Sequence, residues 1–349
     1  MKRHGFAWLV ALACAFASAA AQAGYSGLYV FGDSLSDSGN NALVFDTVAP
    51  PPGTLRTPVP IPNAATNGSL IPTFPYRSTS LTPGVPLDRY TDGFVWAELV
   101  AQALGLPSGG IASLTGFGSN FAFGGAATGP LDPSGSQFPP SLSSQVAGYL
   151  GATGNRADPD ALYVVAGGGN NARAALSDIA NNPGNAASII LAYATQLVQD
   201  LSRIVSQLLD AGARHLLVWN VPDAGKSPAI LAQNASAAGT LVASSLNASL
   251  ETAIWGLPGV IPFDLFDLQN EIVANPDRYG LRNVTGACAA ATSCDPSTFL
   301  FWDGIHPTSA GHAFIARAVL QAVPEPAMLW LLAIGGLACA VALRRMPKP

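Results

Sequence analysis

An α/β fold, with a parallel sheet wound by helices on both faces, is predicted by three features of the 349-residue chain. Short apolar runs of strand length alternate with longer segments whose apolar residues recur at helical spacing. The short runs stop abruptly at glycine or proline. Small polar clusters follow several of these runs, at what become the carboxyl ends of parallel strands, where sites form in open α/β sheets.

Leu28-Tyr29-Val30-Phe31 is the first predicted strand, stopped at Gly32-Asp33-Ser34. Residues 47–90 are rich in Pro, Thr, Ser and Gly and read as a long loop, expected to shape a substrate pocket. Phe94 to Leu104 carries Val95, Leu99, Val100 and Ala103 at helical spacing and stops at Gly105. Gly118 to Phe123 is the second strand and Ala161 to Ala166 the third, each followed by glycines. Ala186 to Ala211 is a long amphipathic helix with Leu197, Leu201, Ile204, Val205 and Leu208 on one face. His215 to Val221 is the fourth strand, stopped by Pro222, and a second long helix runs from about Pro228 to Trp255. Val260 to Phe266 is the fifth strand, and Thr308 to Ala322 a closing helix. The expectation is a five-stranded parallel sheet in one domain, residues 24–322, without internal repeats.

Both ends lie outside that domain. Met1-Lys2-Arg3-His4, the apolar stretch Phe6 to Ala21 and the small-x-small pattern Ala21-Gln22-Ala23 form a secretory signal peptide over 1–23, for removal by signal peptidase. The competing reading is an uncleaved N-terminal anchor. At the other end, Val323-Pro324-Glu325-Pro326 precedes Ala327 to Leu343, which has no charge, and then Arg344-Arg345-Met346-Pro347-Lys348-Pro349. Seventeen apolar residues reach the lower limit of about 17–25 for a spanning helix, and the arginines orient it with its tip in the cytoplasm.

Only 11% of the residues are charged, against about 25% in an average soluble domain, and mean hydropathy is +0.32. Yet 36 Gly and 28 Pro do not suit a bundle of spanning helices. Removing Lys2, Arg3, Arg344, Arg345, Lys348 and Glu325 leaves 11 basic and 20 acidic residues in 24–322, a net charge of −9. Nothing basic invites nucleic acid. The domain keeps two cysteines, Cys288 and Cys294, expected to form a local disulfide in an oxidising compartment, with two inert thiols as the alternative. Their spacing suits neither a CxxC motif nor zinc.

Four clusters carry chemistry. In Phe31-Gly32-Asp33-Ser34-Leu35-Ser36-Asp37-Ser38-Gly39-Asn40, a serine in a tight turn after a strand is presented at the sheet edge, as a nucleophile requires; the plain alternative is a helix cap. Asn120-Phe121-Ala122-Phe123-Gly124-Gly125-Ala126-Ala127 lets backbone N–H groups approach a ligand, although taken alone it reads as a plain strand-to-loop turn. Gly167-Gly168-Gly169-Asn170-Asn171 offers a side-chain amide donor, although taken alone its Asn reads as a cap. In Phe301-Trp302-Asp303-Gly304-Ile305-His306-Pro307, Asp303 stands three residues before His306, close enough in a turn to orient the imidazole. His312, in the closing helix, and His215, before a strand, read as structural. Asp33 is expected to hydrogen-bond its own loop, and Asp37 to cap the helix that follows.

In this order the four segments resemble the SGNH (GDSL) hydrolase family: Gly-Asp-Ser-Leu, Asn-x-Ala-x-Gly-Gly-Ala, Gly-x-Asn and Asp-x-x-His-Pro, spread over about 280 residues. Tyr90 to Trp96 and Phe301-Trp302-Asp303 further resemble its lipase/esterase branch. The resemblance implies a three-layer α/β/α sandwich of flavodoxin type. It makes Ser34 the nucleophile, His306 the general base and Asp303 its orienting acid. The oxyanion hole is then formed by Ser34 N–H, Gly125 N–H and the Asn170 amide. Gly125 is chosen over Gly124 because the family glycine falls five residues after the Asn of that block, here Asn120. Asn171 departs from the family's aspartate, with altered packing expected rather than lost activity. The tail resembles the bacterial PEP-CTERM sorting signal over 323–349. That implies transient anchoring in the inner membrane, a sortase-like membrane protease as partner, and a final place at the cell surface or outside the cell. The implied activity is hydrolysis of small-molecule or lipid esters, with no cofactor and no metal. Two alternatives are a deacetylase of acetylated extracellular polysaccharide and a non-catalytic surface-binding module on the same fold.

Overall fold

The computed structural model describes residues 24–47, 76–79, 86–130, 138–291 and 293–324. The predicted leader 1–23, the tail from Glu325 onward and most of the 47–90 loop lie outside the described residues.

The apolar runs form a parallel sheet. Its strands β1 (Leu28–Gly32), β4 (Leu162–Ala166), β5 (His215–Trp219) and β6 (Val260–Phe263) lie in that order, with β1 on β4, β4 on β5 and β5 on β6. Two small sheets lie apart from it: an antiparallel hairpin of β2 (Tyr76–Thr79) and β3 (Pro86–Arg89), and a parallel pair of β7 (Asn283–Ala287) and β8 (Phe299–Phe301). Gly27–Ala322 form one compact unit.

The main sheet has four strands, not the five predicted. The predicted second strand, 118–123, is an extended segment along β1: Phe121 N–H donates to Val30 O at 2.7 Å, and Phe123 N–H to Gly32 O at 3.1 Å. It makes one parallel bridge to β1, Val30 to Asn120, and another on its outer side, Ala112 to Asn120. The reason is local. Ala122 N–H turns to the Asn120 side chain at 3.0 Å, while Asn40 Nδ2 donates to the carbonyls of Asn120 and Ala122. Outside, Asn120 N–H donates to Ile111 O at 3.1 Å and Asn120 O accepts from Ser113 N–H at 2.7 Å, so a loop backbone and side chains together satisfy this segment's outer groups.

Alternation along the strands divides the core between the sheet's two faces. Phe31, Tyr163, Val165, Leu216 and Val218 pack with α3 (Leu142–Ala152), α5 (Ala186–Asp210) and α7 (Ser236–Ile254). Trp219 points to the other face, where its ring lies 5.2 Å from that of Trp96 at the start of α2 (Trp96–Ala103), and α2 packs on α9 (Ser309–Ala322). The predicted stripe on α5 is buried throughout: Leu197, Leu201, Ile204, Val205 and Leu208. Each such side chain contributes about 1.5–3 kcal/mol.

Two boundaries differ from expectation. The helix predicted over 228–255 is two, α6 (Pro228–Ala232) and α7, because Asn234 between them takes φ 56°. The fifth predicted strand ends at Phe263, where Asp264 caps α8 (Leu265–Ala274) by accepting from Asp267 N–H at 2.8 Å. The helix expected after Asp37 is α1 (Asn40–Thr47), whereas α3, α4 (Gly169–Asn181) and α8 were not anticipated.

His312, on α9, is fully buried, and its Nδ1 accepts the backbone N–H of Trp96 at 3.3 Å. Burial, with a smaller contribution from His306, lowers its pKa from 6.5 to about 3. A histidine lowered in the folded state stabilises fully above its unfolded value, and that stability is lost as pH falls through the folded one. His312→Gln is therefore expected to flatten the decline of the thermal midpoint between pH 6.5 and 3.5. Equal slopes in variant and parent contradict this account.

Candidate active site

Strand β1 delivers Ser34 to a turn at the sheet's carboxyl edge. Gln145 on α3 holds the strand end by pairing with Gly32 as another strand would: Gly32 N–H donates to Oε1, and Nε2 donates to Gly32 O, both at 2.9 Å. The turn is closed by N–H donation from Ser36 and Asp37 to Asp33 O, both at 3.0 Å. Asp33 Oδ1 accepts from Leu35 N–H at 3.0 Å. Burial pushes the Asp33 carboxyl up to about 6 against that bond and the nearby His306 and Arg173 charges. No helix begins at Ser34; α1 starts six residues on, at Asn40.

Asp37 does more than cap α1. One oxygen accepts from Gly39 N–H (2.9 Å) and Asn40 N–H (2.7 Å), the other from Asn41 N–H (3.3 Å) and Gly124 N–H (2.9 Å). The second cluster is thereby tied to the first. Asn120 completes the tie by donating to Ser36 O at 2.8 Å.

The far end of the chain supplies the other half. Trp302 N–H donates to His306 O at 2.8 Å, and Ala229 N–H, in α6, to Gly304 O at 2.9 Å. Within this loop Asp303 Oδ1 accepts the N–H groups of Ile305 and His306, both at 2.8 Å. Its other oxygen lies 2.6 Å from His306 Nδ1, and His306 Nε2 lies 2.8 Å from Ser34 Oγ. All three side chains are buried. With Nδ1–H donated to a carboxylate, Nε2 is left as the acceptor for the serine proton.

Residues 90–96 strap the two halves together. The Tyr90 ring lies 5.2 Å from that of His306, and Thr91 Oγ1 donates to Pro307 O at 2.8 Å. Asp92 accepts from Ser309 N–H (2.7 Å) and Ser309 Oγ (2.8 Å), capping α9 directly after the histidine. Trp96 Nε1 donates to Ser36 Oγ, in the serine turn, at 3.1 Å. A Cβ on Gly124 would lie 2.3 Å from the Tyr90 ring, so that position must be glycine.

The three N–H groups expected to form the oxyanion hole each keep a hydrogen without an acceptor among the described residues. Ser34 N–H and Gly125 N–H have no acceptor among the described residues. Gly124 N–H, by contrast, is held by Asp37. Gly125 adopts φ +83°, a left-handed conformation open to it because it carries no Cβ. Asn170, the second residue of α4, donates one Nδ2 hydrogen to Ala126 O at 2.8 Å and keeps the other. Ser34, Asn170 and His306 open onto a cavity of about 110 Å³, whose walls include Leu35, Ile230, Leu268, Ile272, Leu300 and Ile315. The sequence reading did not anticipate that α6, α8 and α9 build these walls, nor Gln145, nor Arg173, which also lines the cavity.

Cys288 and Cys294 are joined in the connection between β7 and β8, with Cα atoms 5.4 Å apart. Asn171, the departure in the third cluster, lies behind the site. Its Oδ1 accepts Thr128 N–H at 3.1 Å and its Nδ2 donates to Thr128 Oγ1 at 3.0 Å; that hydroxyl donates to buried Asp200 at 3.1 Å. The chain carries its buried carboxylate at Asp200, one hydroxyl away. Asn171→Asp would set two carboxylates against one hydroxyl hydrogen, at a cost of about 1–3 kcal/mol. A lowered urea midpoint at pH 7 is the expected result; an unchanged or raised midpoint contradicts it.

Set beside known proteins, residues 28–319 match the GDSL-like lipase/acylhydrolase family, and residues 322–345 match the PEP-CTERM protein-sorting motif. Esterase EstA of Pseudomonas aeruginosa is 30% identical over 352 residues, which cover 90% of this chain and 49% of that protein. Lipase 1 of Photorhabdus luminescens is 27% identical, covering 88% of this chain and 52% of its own. A GDSL esterase/lipase of Arabidopsis thaliana is 26% identical, covering 84% and 86%. The chain thus spans about half the length of these bacterial relatives.

Proposed function

The chain belongs to the GDSL-like lipase/acylhydrolase family, and we propose that it is an exported serine esterase that cleaves carboxylic esters through an acyl-enzyme on Ser34. The observation that carries this reading is the unbroken relay from Ser34 Oγ to His306 Nε2 and from His306 Nδ1 to Asp303, at 2.8 and 2.6 Å. As Ser34 attacks the ester carbonyl, His306 takes its proton and Asp303 stabilises the imidazolium. The carbonyl oxygen becomes an anion facing Ser34 N–H, Gly125 N–H and the remaining Asn170 Nδ2 hydrogen. Such donors are each worth about 10²–10³ in rate. His306 then protonates the departing alcohol, and water, deprotonated by the same ring, releases the acid.

The cavity's apolar walls favour an acyl group longer than acetyl over an acetylated polysaccharide. The PEP-CTERM motif implies export, sorting to the cell surface and exosortase processing. In this reading signal peptidase removes 1–23 and the tail anchors the protein until it is cut. The domain meets its substrate as an acidic protein with a disulfide suited to an oxidising compartment.

Ser34→Ala is expected to lower turnover of p-nitrophenyl butyrate by about 10⁴–10⁶ with an unchanged circular dichroism spectrum. Retained turnover contradicts the assignment. Ile272→Trp fills the cavity wall and is expected to lower kcat/KM for octanoate esters about tenfold or more relative to acetate. An unaltered chain-length preference would place the acyl group elsewhere.

A further inference from the structure

Arg173 stands one helical turn after Asn170 on α4, on the same face. It lines the cavity with Ser34 and makes no ion pair among the described residues. Its Nη1 donates to Asn170 Oδ1 at 3.1 Å. At the other end of the same carboxamide, Nδ2 donates to Ala126 O at 2.8 Å.

These two contacts differ in kind. A guanidinium only donates and a backbone carbonyl only accepts. A carboxamide is nearly symmetric in shape, so packing alone barely distinguishes its two orientations. If Asn170 were turned over, its NH₂ would meet the guanidinium and its oxygen would meet Ala126 O. Neither contact would be a hydrogen bond, and an oxygen edge would replace an N–H beside the nascent oxyanion.

We infer that Arg173 is a positioning residue: it fixes the Asn170 carboxamide with its amide hydrogens toward the oxyanion and, by drawing charge to Oδ1, strengthens the Nδ2–H donor. This inference rests on the reading of Asn170 as an oxyanion donor. The effect belongs to the transition state, because negative charge on the carbonyl oxygen develops only there. Arg173 adds cationic potential on the same side, behind the amide. The neighbouring Asp33 and Asp303 carboxylates favour keeping the guanidinium charged against its partial burial.

A double-mutant cycle separates the two readings. Arg173→Met keeps the aliphatic stem and removes the donors; Arg173→Lys keeps a charged donor. With p-nitrophenyl butyrate, Arg173→Met is expected to lower kcat about tenfold, a fraction of the 10²–10³ assigned to the amide itself, with little change in KM. Arg173→Lys should recover part of that loss. In an Asn170→Ala background, Arg173→Met should cost almost nothing more, since the group it positions is gone. Additive losses, or a change confined to KM, overturn the inference while leaving Asn170 in its role. Full activity in Asn170→Ala alone overturns the oxyanion reading of that side chain, and this inference with it.

Discussion

The hydrogen bond between Ser34 and His306 joins residues 272 positions apart, and much of the fold is arranged to make it. A proton transfer between these groups needs heavy atoms held within about 3 Å and ring and hydroxyl correctly oriented. Neither loop could manage that alone. The parallel sheet sets the serine turn at its edge, in register with the end of β4, where α4 begins three residues on. The closing loop is set by Asp303, its own backbone and α6. The strap over 90–96 then fixes the distance between the two, through Trp96 on one side and Thr91 and Asp92 on the other.

The same constraint bears on the scarcity of charge. Several of the few charged side chains are buried in or behind the site, among them Asp33, Asp37, Asp200, Asp223 and Asp303. Their negative charge is met mainly by backbone N–H groups and hydroxyls rather than by arginine or lysine. Asp37 accepts four N–H bonds, Asp303 two besides its histidine, and Asp223 one with the Thr240 hydroxyl. Hydrogen bonds to a charged group are stronger than neutral ones, so a carboxylate can organise a turn without a counter-ion. Arg89 is the exception. It pairs in two-point fashion with Glu98, at 3.0 and 2.6 Å, where the strap enters α2.

Much of this was legible in the sequence, for identifiable reasons. β1, β4, β5 and the buried stripe of α5 follow from apolar periodicity. Spacing alone suggests that Asp303 can orient His306; their grouping with Ser34 comes from the resemblance of the four ordered segments to the SGNH (GDSL) family, and the three side chains lie in hydrogen-bond contact. The helix α4 was missed because its start, Gly-Asn-Asn-Ala-Arg, lacks a conventional cap and its apolar stripe, Ala172, Ala175, Leu176 and Ile179, is mostly small; its cap is Gly168 at φ +110°. The edge segment at 118–123 reads as a strand because its residue types are right, and tertiary contacts, of the Asn40 and Asn120 side chains and of the 108–113 backbone, make it something else. Gln145 and Arg173 left no signal either. Each acts through a contact with one particular group, Gly32 or Asn170, that no local pattern encodes.

Activation of Ser34 by His306 can be read by treating the purified protein with a fluorophosphonate and locating the adduct by peptide mass spectrometry. A single phosphonyl adduct on Ser34, formed rapidly in the parent protein and almost not at all after His306→Ala, is the expected result. An adduct elsewhere, or labelling of Ser34 at the same rate without the histidine, would contradict it.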